Sequence, residues 1–262
     1  MSFMLIKYFY IYKHIYNMIG VKMKKKLLKL STIRSLFWSR TNPWPLNVYM
    51  LTFISIRKFI LNCINKYVKE WNSVLDFGCW NMVYKKYFLS KIKWVSYSWL
   101  DIWQSPEFNK NYQIYPWWKI PHGNQSFDVV ISTQVFEHLD DPRFYASELE
   151  RITKKKWYIF LTIAHVWWYH PYPNHYQNIM YDLIPLIFSN SKIIEVKWDT
   201  SLFQNTMMFF MQRLENIGYF NYLFIFIING LFLFFDMIWI SKIQPVKYNP
   251  YAWNILLVLQ VL

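Results

Sequence analysis

The segment from Val74 to Ile102, VLDFGCWNMVYKKYFLSKIKWVSYSWLDI, constrains this chain more than any other. Val74 and Leu75 begin an apolar strand that runs into Asp76, Gly78 and Cys79. A helical-looking stretch follows, and a second strand closes on Asp101. This is half of a nucleotide-binding βαβ unit. A tight turn after the first strand brings backbone N–H groups close to a ligand, and an acid at the end of the second accepts hydrogen bonds from a ribose. Such turns favour repeated glycine, whereas here Gly78 is followed by Cys79, Trp80, Asn81 and Met82. A bulky residue cannot adopt positive φ at glycine's low cost, so the turn predicts either strain or a changed backbone.

The surroundings extend the pattern. Phe59, Ile60 and Ile64 recur at helical spacing within Tyr49–Lys69, which predicts a helix leading into the first strand. Phe127–Ser132 (FDVVIS) is nearly all apolar, as a strand buried on both sheet faces should be. It runs into Thr133, Gln134, Val135, Phe136, Glu137 and His138, a loop at the edge where open α/β sheets place ligands. Arg143–Lys154 reads as a helix, Lys154–Trp157 as a turn and Tyr158–Ile163 as a further strand. The loop 164–178 carries His165, His170 and His175 among prolines and aromatics. Helices are expected over Ile179–Phe188 and Thr206–Ile217, with a strand over Lys192–Lys197 between them. Tyr251–Leu262 reads as a final strand or a packed tail. Strand and helix alternate in the order of an α/β sandwich with a mostly parallel sheet. Right-handed crossovers then collect the strand ends near 76, 101, 132 and 163 on one edge.

Composition narrows the partners. The chain of 262 residues carries 29 Lys and Arg against 15 Asp and Glu, a net charge of +14 that favours anionic partners. Aromatic residues make up 22%, but their clusters do not alternate with basic residues along a groove, so nucleic acid is not an expected partner. Cys63 and Cys79 do not make a disulfide framework, the six His show no zinc-like spacing, and no metal site is expected. No secretory signal with a small-residue cleavage site is evident, which points to a cytoplasmic location.

Two apolar extensions flank the core. Residues 1–48 combine an aromatic stretch with a basic run at Lys22–Arg34, read either as an anionic-lipid contact or as a solvated face and tail. Residues 206–262 include twenty uncharged positions between Glu215 and Asp236, with three open readings: an interfacial or re-entrant helix, a spanning helix, or one buried against the domain or a partner. The expected division is 1–48, 49–205 and 206–262. Oligomeric state is left open.

The motifs VLDFGCW, WLDI and FDVVISTQVFEHLDDP, followed by ITKKKWYIFLTIAHV, resemble those of class I methyltransferases that use S-adenosylmethionine, in particular the small-molecule methyltransferase-domain group. The likeness covers residues 60–200. It implies a Rossmann-like class I methyltransferase sandwich with apolar terminal helices, S-adenosylmethionine as cofactor, and methyl transfer to a small-molecule, glycan-precursor or lipid-linked acceptor. It implies that Asp76, Phe77, Gly78, Cys79, Asp101, Ile102 and Gln134 line the cofactor site. Glu137 and His138 then stand at its mouth, and His170 and His138 are the candidate catalytic residues. Trp80 and Met82 stand where the family turn, D-x-G-C-G-x-G, has glycine. They motivate an alternative reading as a catalytically silent binding or scaffold protein at a membrane surface. A nicotinamide-dependent oxidoreductase fits less well, because the cysteine-containing turn and the EHL segment are not what hydride transfer needs.

Overall fold

The computed structural model describes residues 43, 47, 49–101, 119–170, 174–200, 202–215, 224–231 and 252–262. These belong to one compact unit, Ser39–Leu262. The expected N-terminal interfacial segment, Ile102, and much of the 216–251 stretch lie outside the described residues.

Six strands form one sheet: β1 (Ser73–Phe77), β2 (Ser96–Leu100), β3 (Phe127–Thr133), β4 (Thr153–Ala164), β5 (Ser191–Trp198) and β6 (Asn254–Val261), in the order β2-β1-β3-β4-β6-β5. The β1–β2, β1–β3 and β3–β4 pairs are parallel, whereas β6 runs antiparallel to both β4 and β5. The ends of β1, β2, β3, β4 and β5 therefore share one edge, as the crossover argument anticipates.

Side-chain alternation supplies two cores, one on each face. Val74, Val129, Ile131, Phe160, Leu256 and Val258 pack with Ile60, Cys63 and Ile64 of helix α1 (Met50–Tyr67) and Phe88 of α2 (Lys85–Lys91). Their strand neighbours Leu75, Phe77, Val130, Ile159, Leu161 and Leu257 pack on the opposite face with Tyr145, Ala146 and Leu149 of α3 (Pro142–Ile152) and Ile184 of α4 (Ile184–Ile187). Each fully buried aliphatic or Phe side chain contributes about 1.5–3 kcal/mol, so two filled faces fix the strand register. All seven residues of β3 are buried, as its apolar run predicts. Helix α3 starts where the sequence provides a stop: Asp141 accepts the Phe144 N–H at 3.0 Å and Pro142 occupies the first turn.

Three expectations are corrected. Lys154–Trp157 is not a turn between helix and strand. It lies inside β4 as an irregularity, since Phe127 faces Thr153 while Val129 faces Tyr158, and Lys156 has φ +65°. The helix expected over Ile179–Phe188 is confined to α4 preceded by a 3-10 turn at Tyr181–Leu183, and Pro185, lacking an N–H, is placed in the first turn of α4. Finally, β6, from the segment assigned to the C-terminal extension, lies between β4 and β5, so the sheet of the 49–205 core is completed by the last residues of the chain.

The described part of the apolar extension forms α5 (Leu202–Glu215) and a helix, α6, at residues 224–231. Met208 and Ile225 are buried with Tyr49, Met50 and Trp253, and Asn229 Nδ2 donates to Asn47 O at 3.1 Å. Among the described residues, no helix is long and apolar enough to cross a membrane.

Candidate active site

The site begins with the turn after β1. Asp76 is 1% exposed at the end of that strand, flanked by β2 and β3, and Tyr97 on β2 donates its hydroxyl to Asp76 Oδ2. Burial, followed by the neighbouring Asp76 charge, pushes the Tyr97 phenol far above its ordinary range, so it remains a donor. Gly78 N–H and Cys79 N–H both donate to Leu100 O, at 2.8 and 3.3 Å, and Trp80 N–H donates to Asp101 Oδ2 at 2.6 Å. The turn is thus bonded to the end of β2 rather than projecting from the sheet.

Its backbone explains the residue types that such turns favour. Gly78 has φ +71°, and a Cβ there would come within 2.3 Å of Val135 Cγ2, so both conformation and space require glycine. Trp80 and Met82, where the family pattern has glycine, are at φ +48° and +50°. Positions 78, 80 and 82 are therefore all left-handed although two of the three residues carry side chains. At roughly 1–2 kcal/mol per L-residue, Trp80 and Met82 hold this shape against their own preference. Trp80 is 48% exposed, so its indole is not part of either core.

This frame provides a test of cofactor fit on the chain's own residues. Three left-handed positions shape the turn, Val135 packs against Gly78, and two buried carboxylates, Asp76 and Asp101, stand at the ends of the adjacent strands. The N–H groups of Gly78, Cys79 and Trp80 are engaged within the protein, so the part of the turn that fits an adenosyl cofactor is the acceptor set, the Asp101 carboxylate above all. Phe77 can contribute only backbone, because its side chain is wholly buried in the core and packs near Tyr145. Cys79 is buried, and burial followed by the charges of Asp76 and Asp101 pushes its thiol far up, which keeps it protonated and excludes a thiolate nucleophile. Cys63 is likewise free, buried and pushed up to about 12.

The second half of the site comes from the loops after β3 and β4. Gln134, at φ +56°, donates from its N–H to Thr162 O at 2.8 Å and from Nε2 to Thr162 Oγ1 at 3.2 Å, tying the β3 loop to β4. Phe136–His138 makes a 3-10 turn with Glu137 2% exposed. The loop after β4 folds back on it: Tyr176 N–H donates to Glu137 O at 2.9 Å, Gln177 Nε2 to Leu139 O at 3.0 Å, and His138 Nδ1 faces Asn174 O. The rings of His138 and His170 are 5.0 Å apart, so the two candidate catalytic residues are brought together. One ligand-capable atom of each of Glu137, His138 and His170 lies within 4.8 Å of the others, a convergence the sequence spacing does not reveal.

His165 lies elsewhere. It is 1% exposed, its Nδ1 is 3.3 Å from Ala252 O, and burial lowers its pKa so that it stays neutral. Trp167 and Trp168 stack at 4.7 Å and pack on Tyr49 and Trp253, forming an aromatic wall beside His170 that the sequence reading does not assign. A depression lined by Ile184, Phe188, Lys192 and Leu259 lies at the opposite end of β5 and β6 and includes none of these residues.

Comparison with known proteins agrees with this architecture. Residues 104–161 match a family described as Methyltransferase domain. No curated protein matches the chain. Among solved structures, 1,6-didemethyltoxoflavin-N1-methyltransferase from Burkholderia thailandensis, with bound 1,6-didemethyltoxoflavin and S-adenosylhomocysteine, superposes with a TM-score of 0.51 at 8% identity, covering 79% of this chain and 78% of that one. An S-adenosylmethionine-dependent methyltransferase from Archaeoglobus fulgidus gives 0.50 at 13% identity, covering 87% and 99%. The chain has the class I S-adenosylmethionine-dependent methyltransferase fold.

Proposed function

We propose that the protein is an S-adenosylmethionine-dependent methyltransferase acting on a small-molecule, glycan-precursor or lipid-linked acceptor. The observation that carries the reading is the turn at 78–82, left-handed at Gly78, Trp80 and Met82 and bonded through the Trp80 N–H to Asp101 at the end of the neighbouring strand.

The bound cofactor supplies an electrophilic methyl on a sulfonium. The chain's residues hold and orient. Gly78 and Cys79 offer close backbone, Asp76 closes the floor, and the Asp101 carboxylate, with about four lone-pair sites, accepts the Trp80 N–H and can accept ribose hydroxyls as well. Gln134 fixes the loop opposite. Transfer chiefly requires in-line placement of the acceptor, so no obligatory triad is needed. Where the acceptor carries a proton, His138 and His170 are the groups at the mouth that act on it. Trp167 and Trp168, half-buried beside His170 and backed by buried Tyr49 and Trp253, favour an acceptor with an apolar part. Exposed Phe209, Phe210, Phe226, Ile227 and Leu231 on α5 and α6, with the net charge of +14, support peripheral docking on an anionic membrane.

Isothermal titration of the full chain with S-adenosylhomocysteine tests the cofactor reading. Stoichiometric binding is expected, weakened in Asp101→Ala. Folded protein that binds none would support the silent scaffold instead.

A further inference from the structure

We propose that Glu137, His138 and His170 form a binding site for a divalent transition cation of the Zn2+ class, with an open coordination position at the acceptor side of the cleft. The argument starts from which ring nitrogen of each histidine carries its proton. His138 Nδ1 faces the carbonyl oxygen of Asn174, and His170 Nδ1 lies 3.2 Å from Trp168 O. A carbonyl oxygen only accepts, so each Nδ1 carries the hydrogen and each Nε2 carries the lone pair. This is the arrangement found behind metal-bound imidazoles, where an N–H to a backbone carbonyl fixes the tautomer and makes the opposite nitrogen a better ligand.

His175 is sorted out by the same reasoning. Asn178 Nδ2 donates to Trp167 O at 2.8 Å, which orients the amide and leaves Asn178 Oδ1 to accept from His175 Nε2–H at 3.0 Å. His175 Nδ1 is then the acceptor for the His170 backbone N–H at 3.3 Å. Both nitrogens of His175 hold the loop, so it is a positioning residue rather than a ligand.

The third donor is a carboxylate, Glu137, which is 2% exposed. Ligand-capable atoms of the three residues fall within 4.8 Å of one another, against about 3.3 Å between donors of a tetrahedral site with bonds near 2.0–2.1 Å. Side-chain rotation is left to close that difference, since the Tyr176 N–H to Glu137 O and Gln177 Nε2 to Leu139 O bonds hold the turn that carries Glu137 and His138, and the His170 N–H to His175 Nδ1 bond holds His170. Two neutral nitrogens and one carboxylate oxygen suit Zn2+ and its first-row neighbours rather than Mg2+ or Ca2+, and three protein ligands leave a position open, as in catalytic zinc sites.

The cation's role, unlike its binding, rests on the methyl-transfer reading. With the cation in place the two histidines act on the acceptor's proton through it rather than as bases: bound in the open position, an acceptor hydroxyl loses its proton to water more readily. Its oxygen then forms the new bond to the methyl carbon as the carbon–sulfur bond breaks and sulfur takes the electron pair.

The test uses chelator-stripped full-length protein titrated with Co2+, followed by its visible absorption, and with Zn2+ against a chromophoric chelator. One equivalent with absorption typical of four- or five-coordinate Co2+ is expected. His138→Asn and His170→Asn should each weaken binding by more than the roughly 10–100-fold typical of losing an outer partner. His175→Gln should retain one site. S-adenosylhomocysteine titration of His170→Asn should be unchanged, which separates failure of the cation site from failure of the cofactor reading. No stoichiometric cation, binding of Mg2+ alone, or Zn2+ affinity indifferent to both histidine substitutions would overturn the proposal.

Discussion

Replacing Gly78 by alanine separates the two reasons for glycine in the turn. The residue sits at φ +71°, which for an L-residue costs about 1–2 kcal/mol. A Cβ would also lie 2.3 and 2.8 Å from the two methyls of Val135, an overlap worth about 1–3 kcal/mol in a packed interior. The smaller entropy of the unfolded alanine chain returns roughly 0.4–1 kcal/mol, so Gly78→Ala should destabilise by about 1–4.6 kcal/mol. Val135→Ala alone removes two methyls from a nearly buried side chain, at about 1.5 kcal/mol. In the double variant the methyls are gone and only the Val135 Cβ remains, 3.1 Å from the new atom, a contact that yields by a few tenths of an ångström. Gly78→Ala should then cost only its backbone share, leaving a coupling of about 1–3 kcal/mol between the two sites. Equilibrium denaturation of the four proteins, followed by far-ultraviolet circular dichroism, measures the cycle. An equal cost for Gly78→Ala in both backgrounds would refute the steric half of the argument, and a stabilising Gly78→Ala would refute both halves.

Two further predictions concern the same end of the molecule. The Asp199 carboxylate accepts the Asn254 N–H at 2.8 Å, Asn254 Nδ2 at 2.6 Å and the Thr200 hydroxyl at 3.1 Å, yet burial outweighs these donors and pushes its pKa from 3.8 up to about 6. The protonated form is favoured in the fold, so its contribution is complete below pH 4 and is lost as pH rises through about 6. That loss amounts to roughly 2–3 kcal/mol, and the stability profile of Asp199→Asn between pH 4 and 7 should lack it; parallel profiles would remove the reasoning. The full chain should co-sediment with phosphatidylserine-containing vesicles but not neutral ones, less so at high salt, and Phe226→Glu with Ile227→Glu should weaken it. Equal binding to neutral vesicles would contradict the electrostatic reading.

The parts of the fold legible in sequence were those where a local pattern fixes burial. The FDVVIS run predicted a strand buried on both faces because no alternation remained for solvent, and β3 is buried throughout. The helix read over Arg143–Lys154 is α3, Pro142–Ile152, because its apolar spacing is local, and its start at Asp141 and Pro142 is set by capping from neighbouring residues. In contrast, the placement of β6 between β4 and β5 had no local signal: an apolar C-terminal stretch reads the same as a packed tail until its partners are known. Lys154–Trp157 misled for a related reason, since a strand irregularity and a turn call for similar residues.

The site divides in the same way. Asp76, Gly78 and Asp101 could be singled out from sequence because short strands ending in acids, with glycine between, are a local consequence of bringing backbone to a ligand. What Trp80 and Met82 do there could not be read from their identity. Residue type sets only the cost of a left-handed backbone, and the bonds from Gly78, Cys79 and Trp80 to the end of β2 decide whether that cost is met. Nor could sequence bring His170 beside Glu137 and His138, because that meeting depends on two loops from different strands reaching the same edge of one sheet and being tied there by Asn174, Tyr176 and Gln177. The sequence determined which strands would end in chemistry; the tertiary structure decided which of those ends meet, because through-space contacts follow from sheet order and loop anchoring rather than from spacing along the chain.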